Sequence, residues 1–155
     1  MKKIVTFAIA IFAIGIMKTN AQSTYKTAVG LGLDFGSDFT FVGPSAKFFL
    51  AENHAIQAEI MFESGVTAIT GLYEYHDSIN GADGLKWFVG GGPTLWFVDG
   101  GIGTQFALRP VVGLDYKIDS VPLAFSFDWR PFIGVSEYLG NEAGAFGLGI
   151  RYVIN

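Results

Sequence analysis

The sequence predicts an all-β protein: an eight-stranded antiparallel transmembrane β-barrel, wound as an up-and-down meander, behind a short N-terminal targeting segment. Three observations predict it. Large apolar residues alternate with small or polar ones at period two, and no segment sustains the i, i+3, i+4, i+7 spacing of a helix. Gly supplies 21 of 155 residues, roughly twice the usual share of about 7%. Charged side chains gather on one face of the alternating runs and avoid the other.

Composition narrows the function classes. With 50% hydrophobic, 15% aromatic and 15% charged residues, the chain is not a disordered acidic segment, a coiled coil or a helical bundle. Without Cys there is no disulfide scaffold, zinc-thiolate site, cysteine nucleophile or lipid-modified N-terminal cysteine. A net charge of -4 leaves no basic footprint for nucleic acid. Two His and no Cys argue against a dedicated transition-metal site, and no cofactor is expected.

The elements follow in order. Lys2 and Lys3 precede an apolar run from Ile4 to Met17, and Thr19 and Ala21 are the small residues of a cleavage site. That run of about 14 residues is shorter than the roughly 20 that cross a bilayer as a helix. Residues 1–21 therefore read as a signal peptide cleaved near Ala21, and 22–155 as the barrel domain. Removing three lysines leaves seven bases against 14 acids.

Eight strands are expected near 25–35, 39–50, 55–63, 66–77, 85–97, 105–118, 121–134 and 145–154. In 55–63, Ile56, Ala58, Ile60 and Phe62 oppose Gln57, Glu59, Met61 and Glu63. In 105–118, Phe106, Leu108, Pro110, Val112, Leu114 and Tyr116 oppose Arg109, Gly113, Asp115 and Lys117. Strand 121–134 sets Phe125, Phe127, Trp129 and Pro131 against Ala124, Ser126, Asp128 and Arg130. The last sets Phe146, Leu148, Ile150 and Tyr152 against Gly147, Gly149 and Arg151. In 66–77 the face is assigned from Glu74 alone, and the reverse assignment is the alternative.

Charge placement decides which face is inside. A soluble barrel or sandwich would turn the apolar face inward. Here the small face holds Gly and Ala beside all seven bases of the mature chain: Lys26, Lys47, Lys86, Arg109, Lys117, Arg130 and Arg151. Asp34, Glu59, Glu63, Glu74, Asp115 and Asp128 join them, a near balance that suits charges paired in a confined space. The other eight acids (Asp38, Glu52, Asp77, Asp83, Asp99, Asp119, Glu137 and Glu142) fall in the loops, with no base among them. An apolar face free of charge is what lipid selects, because Lys or Arg at mid-depth costs roughly 2–4 kcal/mol. Only a closed barrel lets strands satisfy their backbone there.

Aromatics cluster toward strand ends, as interfacial girdles do. Tyr25, Phe48, Tyr73, Tyr75, Trp87, Tyr116 and Tyr152 mark the expected periplasmic rim, and Phe35, Phe62, Phe97, Phe106 and Phe146 the opposite one. Turns near Ala51–His54, Ser78–Gly84 and Asp119–Ser120 are expected to be periplasmic. Loops near Gly36–Asp38, Ser64–Gly65, Val98–Thr104 and Ser136–Gly144 are expected to be external.

The whole mature chain resembles the small eight-stranded OmpA/OmpX-like outer-membrane barrels. The likeness is carried by the signal peptide ending Thr19-Asn20-Ala21, by GLYEYH (71–76), by GLKWFVGGGP (84–93) and by the closing AFGLGIRYVIN (145–155). It implies a bacterial outer-membrane location, outer-membrane lipid, lipopolysaccharide and the assembly machinery as partners, and a monomer. One departure is the C-terminus: such barrels end in an aromatic that the assembly machinery reads, whereas Ile154-Asn155 closes this chain and Tyr152 keeps the outward aromatic alternation.

An eight-stranded barrel is just wide enough to be filled by side chains, and Phe88, Trp96 and Phe132 read as pointing inward. The interior ions therefore read as a structural network, of which Glu59, Arg109, Asp128 and Arg130 are expected to form part. His76-Asp77-Ser78 is the one grouping that suggests catalysis. A His near a Ser resembles the base and nucleophile of a lipid esterase, and some eight-stranded barrels modify lipid A. Asp and Ser before Asn80-Gly81 are equally ordinary turn residues. His54 reads as a solvated turn histidine. Gly90-Gly91-Gly92-Pro93 lacks the Lys-Ser/Thr of a phosphate loop and reads as a bend in a crowded wall. The functions in view are a non-enzymatic outer-membrane barrel, a lipid A-modifying enzyme using His76 and Ser78, and an exported lipocalin-like ligand-binding barrel.

Overall fold

The computed structural model describes residues 25–154. The expected signal peptide, residues 22–24 and Asn155 lie outside them. Nine antiparallel strands form one sheet: β1 (Thr27–Phe35), β2 (Thr40–Ala51), β3 (His54–Glu63), β4 (Val66–Ser78), β5 (Leu85–Val98), β6 (Gly103–Lys117), β7 (Leu123–Trp129), β8 (Ile133–Gly134) and β9 (Phe146–Val153). β7 and the two-residue β8 both pair with β6 in one continuing register, so they make a single span and the count is eight. β1 pairs with β2 on one side and β9 on the other, and β5 pairs with β6. The sheet closes on itself, and no strand is left as an edge.

Period two sets what each strand does with its side chains. Burial alternates residue by residue along β2, β3, β4, β7 and β9. The apolar face is outside: Phe127 is 49% exposed and Ile150 53%, while Arg109, Arg151 and Lys47 are at most 1% exposed. A soluble ligand-binding barrel needs the reverse. Glu74 is buried, which fixes the face of β4 as first assigned.

The interior is layered. At the end holding both termini, Tyr25, Ala28, Phe49, Ala55, Ala124 and Val153 form one apolar plug. At the opposite, loop end, Phe41, Met61, Ala68, Trp96 and Ala107 form another, with Phe132 and Leu139 packed on it. Polar and charged side chains fill the space between. The wall itself is tight where glycine allows it: a Cβ on Gly90 or Gly92 would sit 1.9 Å from the carbonyl oxygen of Tyr73 or Gly71. The GGGP run thus brings β4 and β5 together at a spacing no side chain permits.

Proline interrupts the ladders. The β6 register would place Pro110 opposite Pro131, and the rungs from Arg109 to Val111 are missing between β6 and β7–β8. Neither proline has an N–H to give, so that rung cannot form a backbone bond. It is also why the expected strand 121–134 is broken after Trp129. Arg130 and Pro131 are buried in succession, so one outward position drops out of an alternation that resumes at Ile133.

The structure corrects several side-chain placements. Lys26 precedes β1 and is exposed, so it does not enter the interior. Glu63, the last residue of β3, is half-buried at the rim and accepts the Thr40 amide at 2.8 Å. Tyr25 is 4% exposed and belongs to the apolar plug, not to the outer girdle. His54 is the first residue of β3, on the outward face shared with Ile56, and is not a turn residue.

Candidate functional site: the ion-paired interior

Six bases and five acids are buried inside: Lys47, Lys86, Arg109, Lys117, Arg130 and Arg151 with Asp34, Glu59, Glu74, Asp115 and Asp128. Inward positions repeat every second residue, so several partners stand two apart on one strand. Asp128 and Arg130, Gln57 and Glu59, and Glu74 and His76 are each hydrogen-bonded i, i+2 pairs.

The larger network lies in the middle and loop-end half and is built on three arginines. Arg109 forks onto Asp34, with Nη2 to Oδ1 at 3.0 Å. Its Nη2 and Nε also donate to the Arg130 carbonyl at 3.1 and 3.3 Å, the carbonyl next to the proline rung. Arg130 donates Nη2 to Asp128 Oδ2 at 2.7 Å, Nε to Asp128 Oδ1, and Nη1 to Glu59 Oε2 at 2.6 Å. Glu59 Oε1 accepts from Gln57 Nε2 at 2.9 Å and from Ser45 Oγ at 3.1 Å. Arg151 donates to Ser45 at 2.8 and 3.0 Å and to Ser126 at 2.8 Å, with Glu59 Oε1 at 3.6 Å. Three guanidinium groups meet three carboxylates, and the charges balance.

The second network lies at the termini end, around one lysine. Lys47 Nζ bonds Glu74 Oε2 at 2.8 Å and Asp115 Oδ2 at 3.0 Å, and lies 4.5 Å from the centre of the Phe88 ring. Tyr25 Oη donates to Asp115 Oδ2 at 2.8 Å. His76 Nε2 meets Glu74 Oε2 at 2.8 Å, with its ring stacked on Phe88 and edge-on to Phe49. Glu74 Oε1 and His76 Nδ1 are buried here without a partner, as is Gln57 Oε1 in the arginine network.

Two of the expected network members pair with no carboxylate. Lys86 donates to the Glu52 carbonyl at 3.3 Å and lies over the Phe49 ring. Lys117 donates to the carbonyls of Ile118 and Val121 at 2.6 and 2.7 Å. Both sit where strands enter termini-end turns, and they cap backbone there. Glu63 is outside the network altogether.

Of the catalytic alternative, the structure supplies a piece and withholds another. Glu74 gives His76 the acid that the sequence left unnamed, yet His76 is fully buried and Ser78 is exposed at the end of β4, with no hydrogen bond between them. Among the described residues no three His, Asp or Glu side chains are grouped to hold a metal ion. Sequence reasoning put Gln57 and Ser126 on the inward face without naming them as network partners, and it missed Tyr25 and Ser45; the i, i+2 rule applied to Glu59 would have named Gln57.

No family model matches the chain, and no curated protein matches it. Among solved structures, it is similar to the crystal structure of the N-terminal β-barrel domain of Pseudomonas aeruginosa OprF. The TM-score is 0.59 at 16% identity, over 83% of this chain and 100% of that one. The chain therefore has the fold of the small eight-stranded OmpA/OmpX-like barrels, the architecture its alternation predicts.

Proposed function

We propose that this chain is a small, non-enzymatic outer-membrane barrel, exported through its N-terminal segment. In this reading it crosses the membrane as a monomer, with the termini end in the periplasm. Its partners are outer-membrane lipid and lipopolysaccharide and, during insertion, the assembly machinery. The carrying observation is the inside-out distribution of polarity: ion pairs within, and a wall of Leu31, Val42, Ile60, Phe127, Leu148 and Ile150 outside. The interior leaves no open solute path, because two apolar plugs bracket ion pairs that hold the strands in register. Such a protein serves membrane integrity, surface interaction or adhesion.

Membrane fractionation with gel mobility of boiled and unboiled samples tests this reading. The protein is expected in the detergent-extracted envelope fraction, with a band that shifts on boiling. Recovery from the soluble periplasm without detergent overturns it. Phe127→Arg, on the outer wall, is expected to cost roughly 2–4 kcal/mol in vesicles if lipid covers that wall. Urea titration of the folded band measures it.

A further inference from the structure

The outer wall at the termini end carries an unusual grouping. His54 begins β3 and lies across from Tyr75 on β4, with Tyr73 on the diagonal. Its Nδ1 is hydrogen-bonded to the Tyr73 hydroxyl, which leaves Nε2 as the ring's second nitrogen on this half-buried side chain. The imidazole centre is 5.3 Å from that of Tyr75, edge to face, and Tyr75 is 6.0 Å from Trp87 on β5. Three strands thus share an aromatic shelf with one nitrogen donor set into it. Every other outward side chain at or above this level of the described strands is uncharged.

Asp77 follows two residues beyond Tyr75 on the same outward face, opposite Trp87, and is exposed. Its Oδ1 accepts the Ser78 amide at 2.8 Å, which holds the carboxylate at the strand end. Two residues of strand rise about 6.6 Å, or nearer 5 Å along the normal of a barrel tilted about 45°. A donor at one depth and an anion one step closer to water match a zwitterionic headgroup, whose phosphate lies deeper than its ammonium.

We propose that this shelf binds a glycerophospholipid with a primary-ammonium headgroup, His54 holding the phosphodiester and Asp77 the ammonium; the proposal rests on the outer-membrane reading above. In this site the Tyr73 hydroxyl donates to Nδ1, and the tautomer with its hydrogen on Nε2 offers an N–H to a phosphate oxygen. The Tyr75 and Trp87 faces lie beside the path of the ammonium, where a cation gains from the ring quadrupole. Glu52, exposed in the neighbouring turn, adds negative charge on the ammonium side. A purely anionic headgroup is therefore disfavoured, and a quaternary ammonium lacks the N–H that Asp77 would accept.

The test uses the purified full barrel in vesicles of phosphatidylethanolamine, phosphatidylglycerol or phosphatidylcholine. Flotation is followed by native mass spectrometry of retained lipid. Wild type is expected to retain the ethanolamine lipid over the other two. His54→Phe, which keeps the ring, should lower that retention about tenfold, the factor carried by one hydrogen bond to a charged group. Asp77→Asn should abolish the preference for ethanolamine over choline. Both variants must show the boiling-dependent gel shift. Equal retention by wild type and His54→Phe, or no headgroup preference in wild type, overturns the site while leaving the barrel reading standing. A wild-type protein that does not float overturns the barrel reading and the site with it.

Discussion

The two interior networks solve the same burial problem with different cations. In the loop-end half, each guanidinium offers five N–H donors in a fixed fork, enough to satisfy carboxylates, serines and a stray backbone carbonyl together. At the termini end, one ammonium with three donors sits between Glu74 and Asp115, and Glu74 Oε1 and His76 Nδ1 stay unbonded. Both are anchored on several strands, but the arginine network leaves only Gln57 Oε1 unbonded against two atoms around the lysine. The lesson is that donor number and direction, more than charge count, set how completely a narrow barrel can satisfy its own interior.

Five substitutions sharpen that contrast. Arg130→Met strands Asp128 and Glu59 together and should destabilise the barrel by about 3–5 kcal/mol, read as a fall in the urea midpoint in vesicles. Lys47→Met should cost less, about 2–3 kcal/mol, because His76 still meets Glu74 and Tyr25 still donates to Asp115. Adding Glu74→Gln to it should recover about 1 kcal/mol or more in a double-mutant cycle. Equal losses for Arg130→Met and Lys47→Met would erase the distinction drawn between the networks. Gln57→Leu should stay within about 1 kcal/mol of wild type, since it removes one bond to Glu59 and one unsatisfied oxygen at once. Smallest is Lys117→Met at the rim, about 1 kcal/mol or less, where the freed carbonyls of Ile118 and Val121 lie beside a turn open to water.

Much of this arrangement is legible in the sequence because a strand reports its faces directly. Phe125, Phe127 and Trp129 against Ser126, Asp128 and Arg130 give the inside and outside of β7 without further information. Partner choice is less legible. Arg109 and Asp34 stand 75 residues apart, and their meeting depends on closure of the whole sheet. Strand ends are harder still: Lys26, Glu63 and His54 all fall where period two no longer says whether a side chain bends to water, backbone or wall. Lys86 and Lys117 look like the other interior bases in sequence, yet turn carbonyls reach them before any carboxylate does.

The outward position lost at Pro131 gives the molecule a readable signature. A saturation scan of this protein should show tolerance rising and falling on alternate residues, like a barcode, because each outward position accepts most apolar residues and each inward one very few. Through β7 the tolerant bars fall on odd numbers, at Phe125, Phe127 and Trp129. At Pro131 one tolerant bar should be missing, and the rhythm should resume at Ile133 with its phase unchanged.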